Sequence, residues 1–143
     1  MTMTNAEIVA DKLLRQWNDR DLTAIDEYMA EDHIDHNPMR NQARGSAGVR
    51  ALIGAFLERG DVRCDILTSF GEDELVATRY TLTITHKGDF MGVPAAGKTT
   101  VSHIVQIDRV VDGKIIETWG ESNRHAVIEE LGVVAGLAGP TSA

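Results

Sequence analysis

The stretch TTVSHIVQIDRVVDGKIIETWGESNRHAVIEELG, residues 99–132, decides the fold. Its Asp112-Gly113 pair lies between two segments rich in Val and Ile, which predicts a β-hairpin with a two-residue turn. A turn of this length fixes the register, so Val111 opposes Lys114 and each earlier pair follows by counting outward. The predicted pairs are then Val110–Ile115, Asp108–Glu117, Gln106–Trp119, Ile104–Glu121 and Ser102–Asn123.

Residues that oppose each other share one face of the hairpin, because side chains alternate along a strand. This face therefore gathers the amides of Gln106 and Asn123, the indole of Trp119, and the opposed carboxylates of Asp108 and Glu117. The other face is expected to carry His103, Val105, Ile107, Arg109, Ile116 and Thr118. Two amides and an indole in one row make the first face the predicted site.

The composition is that of a globular protein with one domain. The chain has 143 residues, of which 43% are hydrophobic and 25% charged, enough for a sizeable core. A net charge of -8 argues against a nucleic-acid partner or an anionic membrane surface. No apolar run approaches the roughly 20 residues that span a bilayer. The single cysteine, Cys64, excludes an intrachain disulfide and favours a reducing compartment, so we expect a cytoplasmic protein.

Capping signals place three helices in the first part of the chain. Thr4 and Glu7 have the spacing of a capping box, which begins the first helix. Asp21 and Ser46 are the expected N-caps of the second and third helices. Apolar residues at helical spacing predict the buried stripe of the first helix: Ala6, Ala10, Leu13, Leu14 and Trp17.

Strand patterns follow the helices at residues 62–69 and 75–86, before the hairpin. Residues 123–131 predict a short last helix. Helices first and strands afterwards predict an α+β fold, with a mostly antiparallel sheet covered by helices on one face. We expect residues 1–137 to form a single domain and residues 138–143 a loose tail.

Two runs in the second half carry a family resemblance. They are TRYTLTITHKGDFMGVPAAGK at residues 78–98 and RVVDGKIIETW at residues 109–119, followed by HAVIEELG at residues 125–132. Together with the order of elements, these runs resemble the SnoaL-like polyketide cyclase family of the nuclear transport factor 2-like superfamily. The resemblance implies a cone-like barrel in which a curved sheet and N-terminal helices enclose one pocket. It also implies a cofactor-free, often homodimeric domain that acts on a small hydrophobic substrate.

The resemblance places Asn123 and Gln106 at two positions that matter for chemistry. In the family's well-known members, an acid near the end of the last strand moves a proton during an intramolecular aldol closure, with a histidine on the preceding strand nearby. An amide does not take up a proton near neutral pH, so another group must do this here. Asparagine at the last position also resembles the family's cofactor-independent hydroxylase-like branch.

Asp35 and His36 are the first alternative proton carriers. Their segment DHIDHNP, residues 32–38, resembles the family stretch that lines the pocket mouth. A histidine titrates near neutrality, and a carboxylate in an apolar pocket can be raised toward it. The alternative interpretation is a solvated turn in which Asp35 bonds the backbone.

Asp108, Glu117 and Arg79 are further candidates. Directly opposed carboxylates repel unless one is protonated or a cation intervenes, so Asp108 and Glu117 form either an acid/base pair or an exposed pair. Arg79 could stabilise an enolate oxygen, pair with a carboxylate in the sheet, or lie at a dimer face.

The expected substrate contacts are mostly apolar or aromatic: Trp17, Tyr28, Trp119, Ile104, Phe56 and Met91, with Asp108. His33 and His36 have an H-x-x-H spacing, but no third ligand stands at a metal-site spacing, so no metal is predicted.

Three functions remain open from the sequence. The first is enolisation of a polyketide-like carbonyl substrate, followed by aldol cyclisation or isomerisation. The second is cofactor-independent hydroxylation or epoxide opening in the same pocket. The third is a non-catalytic module that binds a small molecule.

Overall fold

The computed structural model describes residues 2–90, 92 and 94–131. The elements in chain order are α1 (Asn5–Trp17), α2 (Thr23–Tyr28), β1 (Met29–Asp35), α3 (Gly45–Arg59), β2 (Gly60–Glu72), β3 (Leu75–His86), β4 (Thr99–Val111), β5 (Lys114–Ser122) and α4 (Arg124–Glu130). The strands form one sheet in the order β1-β5-β4-β3-β2. The sheet is curved but does not close, and the predicted α+β class is confirmed.

Strands β2 to β5 pair antiparallel, and β1 joins the edge parallel to β5. The Asp112-Gly113 turn is confirmed, with positive φ values of 49° and 78°. Two consecutive residues with positive φ are typical of the type I′ turn, whose twist matches that of the flanking strands. The turn thus joins β4 and β5 as the local sequence predicts.

The hairpin register departs from simple counting two pairs beyond the turn. Val110 pairs with Ile115 as predicted, but a bulge follows, and Arg109 then pairs with Glu117. Asp108 consequently pairs with Thr118, and Gln106 with Gly120, rather than with Glu117 and Trp119. The predicted pairs beyond Val110 are therefore wrong by one residue, and Thr118 and Trp119 have exchanged faces.

The bulge has a physical reason. Regular pairing would have placed Glu117 directly opposite Asp108, which is 1% exposed, and two opposed carboxylates on a buried face repel. With the bulge, Glu117 instead accepts a hydrogen bond of 2.9 Å from Nε of Arg109 on the outer face. The one extra residue in β5 thereby separates the two carboxylates.

Helix α1 covers the inner face of the sheet. Its predicted capping box is confirmed, since Thr4 and Glu7 each bond the other's backbone N–H. The buried residues are Ile8, Val9, Lys12, Leu13, Gln16 and Trp17. The predicted stripe is therefore wrong at Leu14, which is 38% exposed, and it omitted a buried lysine and a buried glutamine.

Neither of the other two predicted N-caps is confirmed. Leu22 occupies the N-cap of α2, although Asp21 Oδ1 accepts a hydrogen bond of 3.0 Å from the backbone N–H of Thr23, the first residue of that helix. Ser46 is not the N-cap of α3, because that helix begins one residue earlier, at Gly45, with Arg44 at the N-cap.

The outer face of the sheet has no helix over it among the described elements. It exposes large apolar side chains, with Phe70 at 64%, Val105 at 50% and Ile107 at 41% of their surface. We call the surface formed by Phe70, Val105 and Ile107 the outer patch.

Some expectations fall on other parts of the chain. Met91 and the expected tail at 138–143 lie outside the described residues. Within the described part, no helix has the length and apolar character needed to cross a bilayer.

Candidate functional site

A cavity of about 230 Å³ lies between the inner face of the sheet and helices α1, α3 and α4. Much of its lining is apolar and includes Trp17, Phe56, Leu82, Ile84, Phe90 and Ile104. Trp17 and Phe56 meet edge to face, with ring centroids 6.1 Å apart. The volume is below the range of about 300–1,000 Å³ that drug-sized ligands occupy, which favours a small ligand.

Five polar side chains form a continuous hydrogen-bonded row on the sheet wall of this cavity. The row starts at Tyr80, whose hydroxyl donates to Gln106 Oε1 at 2.6 Å, and Gln106 Nε2 donates to Asp108 Oδ2 at 2.8 Å. Thr118 Oγ1 donates to Asp108 Oδ1 at 2.5 Å, and His33 Nε2 lies 2.8 Å from Thr118 Oγ1. We call these five residues the polar chain. Its members come from the four neighbouring strands β3, β4, β5 and β1.

The hydrogen-bond directions in the polar chain define the tautomer of His33. Thr118 has one hydroxyl proton, and it points to Asp108. When Asp108 is ionised, the Thr118 oxygen accepts from His33, which assigns the His33 proton to Nε2 and a free electron pair to Nδ1. The Nδ1 atom is buried and has no hydrogen-bond partner among the described residues.

Burial controls the protonation of this cluster. It lowers the pKa of His33 to about 4, and the positive charge of Lys12 acts in the same direction. Burial raises the pKa of Asp108, opposed by the Lys12 charge and by the hydrogen bonds from Thr118 and Gln106. Burial also raises the pKa of Tyr80, which stays a phenol. The imidazole of His33 is therefore neutral near pH 7, while Asp108 takes up a proton more readily than an exposed aspartate.

Lys12 is the buried cation of this region. It is 6% exposed, and burial lowers its pKa, opposed by the negative charge of Asp108. Lys12 acts on the cluster through its field, because it makes no hydrogen bond to the polar chain.

Two further polar atoms on the cavity-lining residues lack partners among the described residues. These are Gln16 Oε1, an acceptor, and Trp17 Nε1, a donor. Buried polar groups nearly always find a partner. These two atoms and His33 Nδ1 are therefore buried polar atoms of lining residues whose hydrogen-bonding capacity is unused among the described residues.

Asp35 lies both at the cavity and in a turn, and its role as a proton carrier stays a prediction. It lines the cavity, and its Oδ1 accepts a hydrogen bond of 3.0 Å from the backbone N–H of Asn37, as in a turn. Its Oδ2 accepts from Gln42 Nε2, also at 3.0 Å. The carboxylate is thus held rigidly at the cavity wall.

His36 and Trp119 do not line the cavity, contrary to expectation. Their rings stack on each other with centroids 4.6 Å apart and planes 5° apart. His36 Nε2 lies 2.8 Å from Glu117 Oε2. The bulge in β5 turns Glu117 and Trp119 outward, and His36 follows them to the outside of the sheet edge.

Asn123 also lies outside the cavity lining. Its Oδ1 accepts a hydrogen bond of 2.7 Å from the backbone N–H of His103, and its Nδ2 donates to the carbonyl of Val101 at 3.4 Å. The reason is that β5 ends at Ser122 and Asn123 already occupies the N-cap position of α4. The expectation that Gln106 and Asn123 face one hollow is therefore wrong, and of the two only Gln106 lines it.

Arg79 and Tyr28 are likewise outside. Arg79 is exposed on the outer face of the sheet, with Nη2 3.4 Å from Thr68 Oγ1. The Tyr28 hydroxyl donates to Asp11 at 2.8 Å, and this bond raises the pKa of Tyr28 to about 12. Of the other expected contacts, Trp17, Phe56 and Ile104 line the cavity, and Asp108 lies behind Gln106 and Thr118.

The members of the polar chain that sequence reasoning missed are His33, Thr118 and Tyr80. Tyr80 had a usable signal, because it alternates with Leu82 and Ile84 on β3. Thr118 had none, because its face depends on the bulge. Within residues 2–90, 92 and 94–131, no three His, Cys, Asp or Glu side chains converge as a metal site would require.

Comparison with known proteins identifies the family to which the chain belongs. The model of the SnoaL-like polyketide cyclase family matches residues 7–131. The chain belongs to this family. A search of curated protein sequences returns no match.

Solved structures of the same shape support this assignment. AclR from Streptomyces galilaeus, described as a candidate hydroxylase, is 30% identical with a TM-score of 0.76, over 91% of this chain and 87% of AclR. IdmH from Streptomyces antibioticus, described as a candidate polyketide cyclase, is 26% identical with a TM-score of 0.77, over 92% of this chain and 100% of IdmH. TsrD from Streptomyces laurentii is 21% identical with a TM-score of 0.82, over 93% of this chain and 98% of TsrD, and shows the fold alone.

Proposed function

We propose that this chain is a cofactor-free enzyme that enolises a small hydrophobic carbonyl compound, leading to aldol cyclisation or isomerisation. The observation that carries the proposal is the small, largely apolar cavity with the polar chain on one wall. Few waters compete in such a cavity, so hydrogen bonds to a forming enolate are stronger than in water.

The residues of the cavity have distinct roles in this proposal. The Trp17 indole N–H is the donor to the carbonyl oxygen, since it is buried and unpaired among the described residues. A donor aimed at a forming oxyanion stabilises the transition state. Gln106 orients the polar chain rather than the substrate, because its oxygen and nitrogen are both engaged. Asn123, His36 and Arg79 receive no direct role, because they lie outside the lining.

The test uses exchange of the α-hydrogens of 2-tetralone, a small hydrophobic ketone, in deuterated water followed by NMR. We expect the protein to accelerate exchange by at least tenfold over buffer. Trp17→Phe keeps an aromatic ring but removes the N–H, and should reduce kcat by about a hundred- to a thousandfold, the order seen for loss of one oxyanion donor. Tyr28→Phe is the matched control, since that hydroxyl bonds Asp11 away from the cavity. Binding of 2-tetralone without accelerated exchange would contradict enolisation and favour the binding module.

A second function is favoured by one specific observation, the 30% identity to AclR, a candidate hydroxylase. In this alternative, an enolate formed in the cavity reacts with dioxygen, and the substrate supplies the electrons. Anthrone is a suitable probe, because its conversion to anthraquinone consumes one dioxygen and releases one water. Dioxygen uptake that depends on the protein and on anthrone would support it, and an uptake equal to that of buffer would contradict it.

We also propose a homodimer formed through the outer patch, and a cytoplasmic location. The dimer is supported by the contiguous exposed apolar side chains of Phe70, Val105 and Ile107, since monomers seldom expose large apolar patches. The location is supported by the single cysteine, which is free and buried.

A further inference from the structure

We propose that His33 Nδ1 accepts the proton from the substrate, and that Thr118 and Asp108 relay a proton away from His33 Nε2. This inference rests on the proposed function and identifies the residues of its first step. Asn123 and the stacked His36 take no part, and Gln106 only positions Asp108.

The first support is the position of His33. It lies on β1, is 4% exposed and lines the cavity. Its Nδ1 carries the free electron pair, because Nε2 donates to Thr118. Two carboxylates also belong to the lining: Asp35, which accepts a hydrogen bond on each oxygen, from Asn37 and from Gln42, and Glu121, which is exposed to solvent. His33 Nδ1 is therefore the buried basic atom of the lining that has no hydrogen-bond partner among the described residues.

The second support is the link from Nε2 to a buried carboxylate. Three heavy-atom distances of 2.8, 2.5 and 2.8 Å join His33 to Thr118, Thr118 to Asp108 and Asp108 to Gln106. Because a hydroxyl can donate and accept, the same atoms support the opposite direction, in which Asp108 donates to Thr118 and Thr118 donates to His33. Gln106 keeps its bond to Asp108 Oδ2 in both directions, which holds the carboxylate in place.

The proposed step balances as follows. The substrate α-carbon–hydrogen bond breaks, its electron pair stays on the substrate as the enolate, and the proton binds Nδ1. The Nε2 proton moves to Thr118 Oγ1, whose own proton moves to Asp108 Oδ1. His33 ends as the other neutral tautomer, Asp108 ends as a neutral acid, and the negative charge has moved from Asp108 to the enolate. The reverse transfer returns a proton to the product.

The charges around His33 explain why a relay is needed. The groups that face it are Lys12 from α1, Asp35 and His36 from its own segment, and Glu117 from β5. Burial and the Lys12 charge oppose a positive imidazole. A base that stored the proton as an imidazolium would therefore be poor, whereas the relay leaves the imidazole neutral throughout.

The kinetic test uses a matched pair at one position. Thr118→Val removes the hydroxyl at nearly constant shape, and Thr118→Ser retains it. We expect Thr118→Val to lower kcat for 2-tetralone exchange by ten- to a hundredfold with KM unchanged, and Thr118→Ser to stay within threefold of wild type. His33→Gln should lose at least a hundredfold, and the exposed His125→Gln should behave as wild type. Equal kcat values for the two Thr118 variants, or a His33→Gln variant above one-tenth of wild-type kcat, would overturn the proposal.

A second readout does not depend on activity. Nitrogen-15 NMR of the wild-type imidazoles at pH 7 should show His33 protonated on Nε2 and bare on Nδ1, and Thr118→Val should shift it toward a mixture of tautomers. An Nδ1–H tautomer or an imidazolium at pH 7 would overturn the relay even if exchange is fast. Absence of exchange in wild type with the expected tautomer present would instead contradict the proposed function, and the relay would fall with it.

Discussion

The imidazole of His33 is neutral in the folded protein at a pH where a free histidine is half protonated. Its pKa is lowered from 6.5 to about 4 because the ring is buried, and the Lys12 charge adds to the effect. Asp35 and Glu117 act in the opposite direction, and His36 in the same direction as Lys12. Folding and protonation of His33 therefore compete.

This competition predicts how stability depends on pH. Between pH 6.5 and 4 the unfolded chain binds a proton at His33 while the folded protein does not. The contribution of His33 to the free energy of unfolding is therefore fully present above pH 6.5 and is lost as the pH falls toward 4. The loss from this site is about 3 kcal/mol by pH 4. Urea unfolding at a series of pH values should show a steeper decline for wild type than for His33→Gln. Parallel curves for the two proteins would contradict the lowered pKa.

Single residues also show where sequence reasoning stops. Apolar periodicity predicts that Trp17, Phe56 and Ile104 face inward, and the family resemblance implies the pocket that they line. Periodicity does not predict the burial of Lys12 and Gln16, because a helical stripe is recognised by its apolar members and these two are polar, although they lie four and eight residues after Ile8 on the same face. The charge of Asp108, which opposes the effect of burial on the pKa of Lys12, is far away in sequence, and Gln16 Oε1 has no partner among the described residues.

Among the elements, the β4–β5 hairpin contains one feature that local sequence determines, the turn, and one that tertiary contacts determine, the bulge. The turn could be predicted because Asp112 and Gly113 alone determine it. The bulge could not, because it depends on the cost of burying Glu117 beside Asp108, which only the covering helices create. Without the bulge, the predicted register is wrong by one residue, so the prediction places Trp119, Glu117 and Thr118 on the wrong faces of the sheet.

The turn gives a clean prediction at this scale. Gly113 has φ of 78°, and an added Cβ would meet nothing within 4 Å. Gly113→Ala should therefore destabilise the protein through backbone conformation alone, by about 1 kcal/mol. The control is Asp112→Asn, since asparagine tolerates positive φ as well as aspartate does. Denaturant unfolding measures both, and an unchanged midpoint for Gly113→Ala would contradict the left-handed conformation.

At the scale of the whole molecule, the order of the predicted helices and strands and the family resemblance together predict the α+β architecture. The predicted strands do not include β1, because residues 32–38 are interpreted only as a stretch at the pocket mouth or as a solvated turn. Its parallel pairing with β5 joins residues more than 80 positions apart, and no local pattern reports such a contact. That pairing nevertheless supplies His33 to the cavity wall.

The outer patch leads to a prediction about assembly. We expect a dimer at micromolar concentration in sedimentation velocity experiments. Val105→Lys would place a second cation beside Arg79, with which Val105 pairs across β3 and β4, and should give monomers. Leu14→Lys is the control, because Leu14 is 38% exposed on α1 rather than on the sheet. A wild-type monomer at these concentrations would contradict the dimer.

The polar chain runs across the strands of the sheet, and this direction has a consequence for thermal inactivation. Three of its four links cross from one strand to its neighbour, the Gln106–Asp108 link lies within β4, and the last link ends on β1, a seven-residue edge strand with a single pairing partner. Edge segments fray before the centre of a sheet melts. Fraying of β1 would withdraw His33 while the other four members stay in register, so thermal inactivation should precede the loss of global secondary structure.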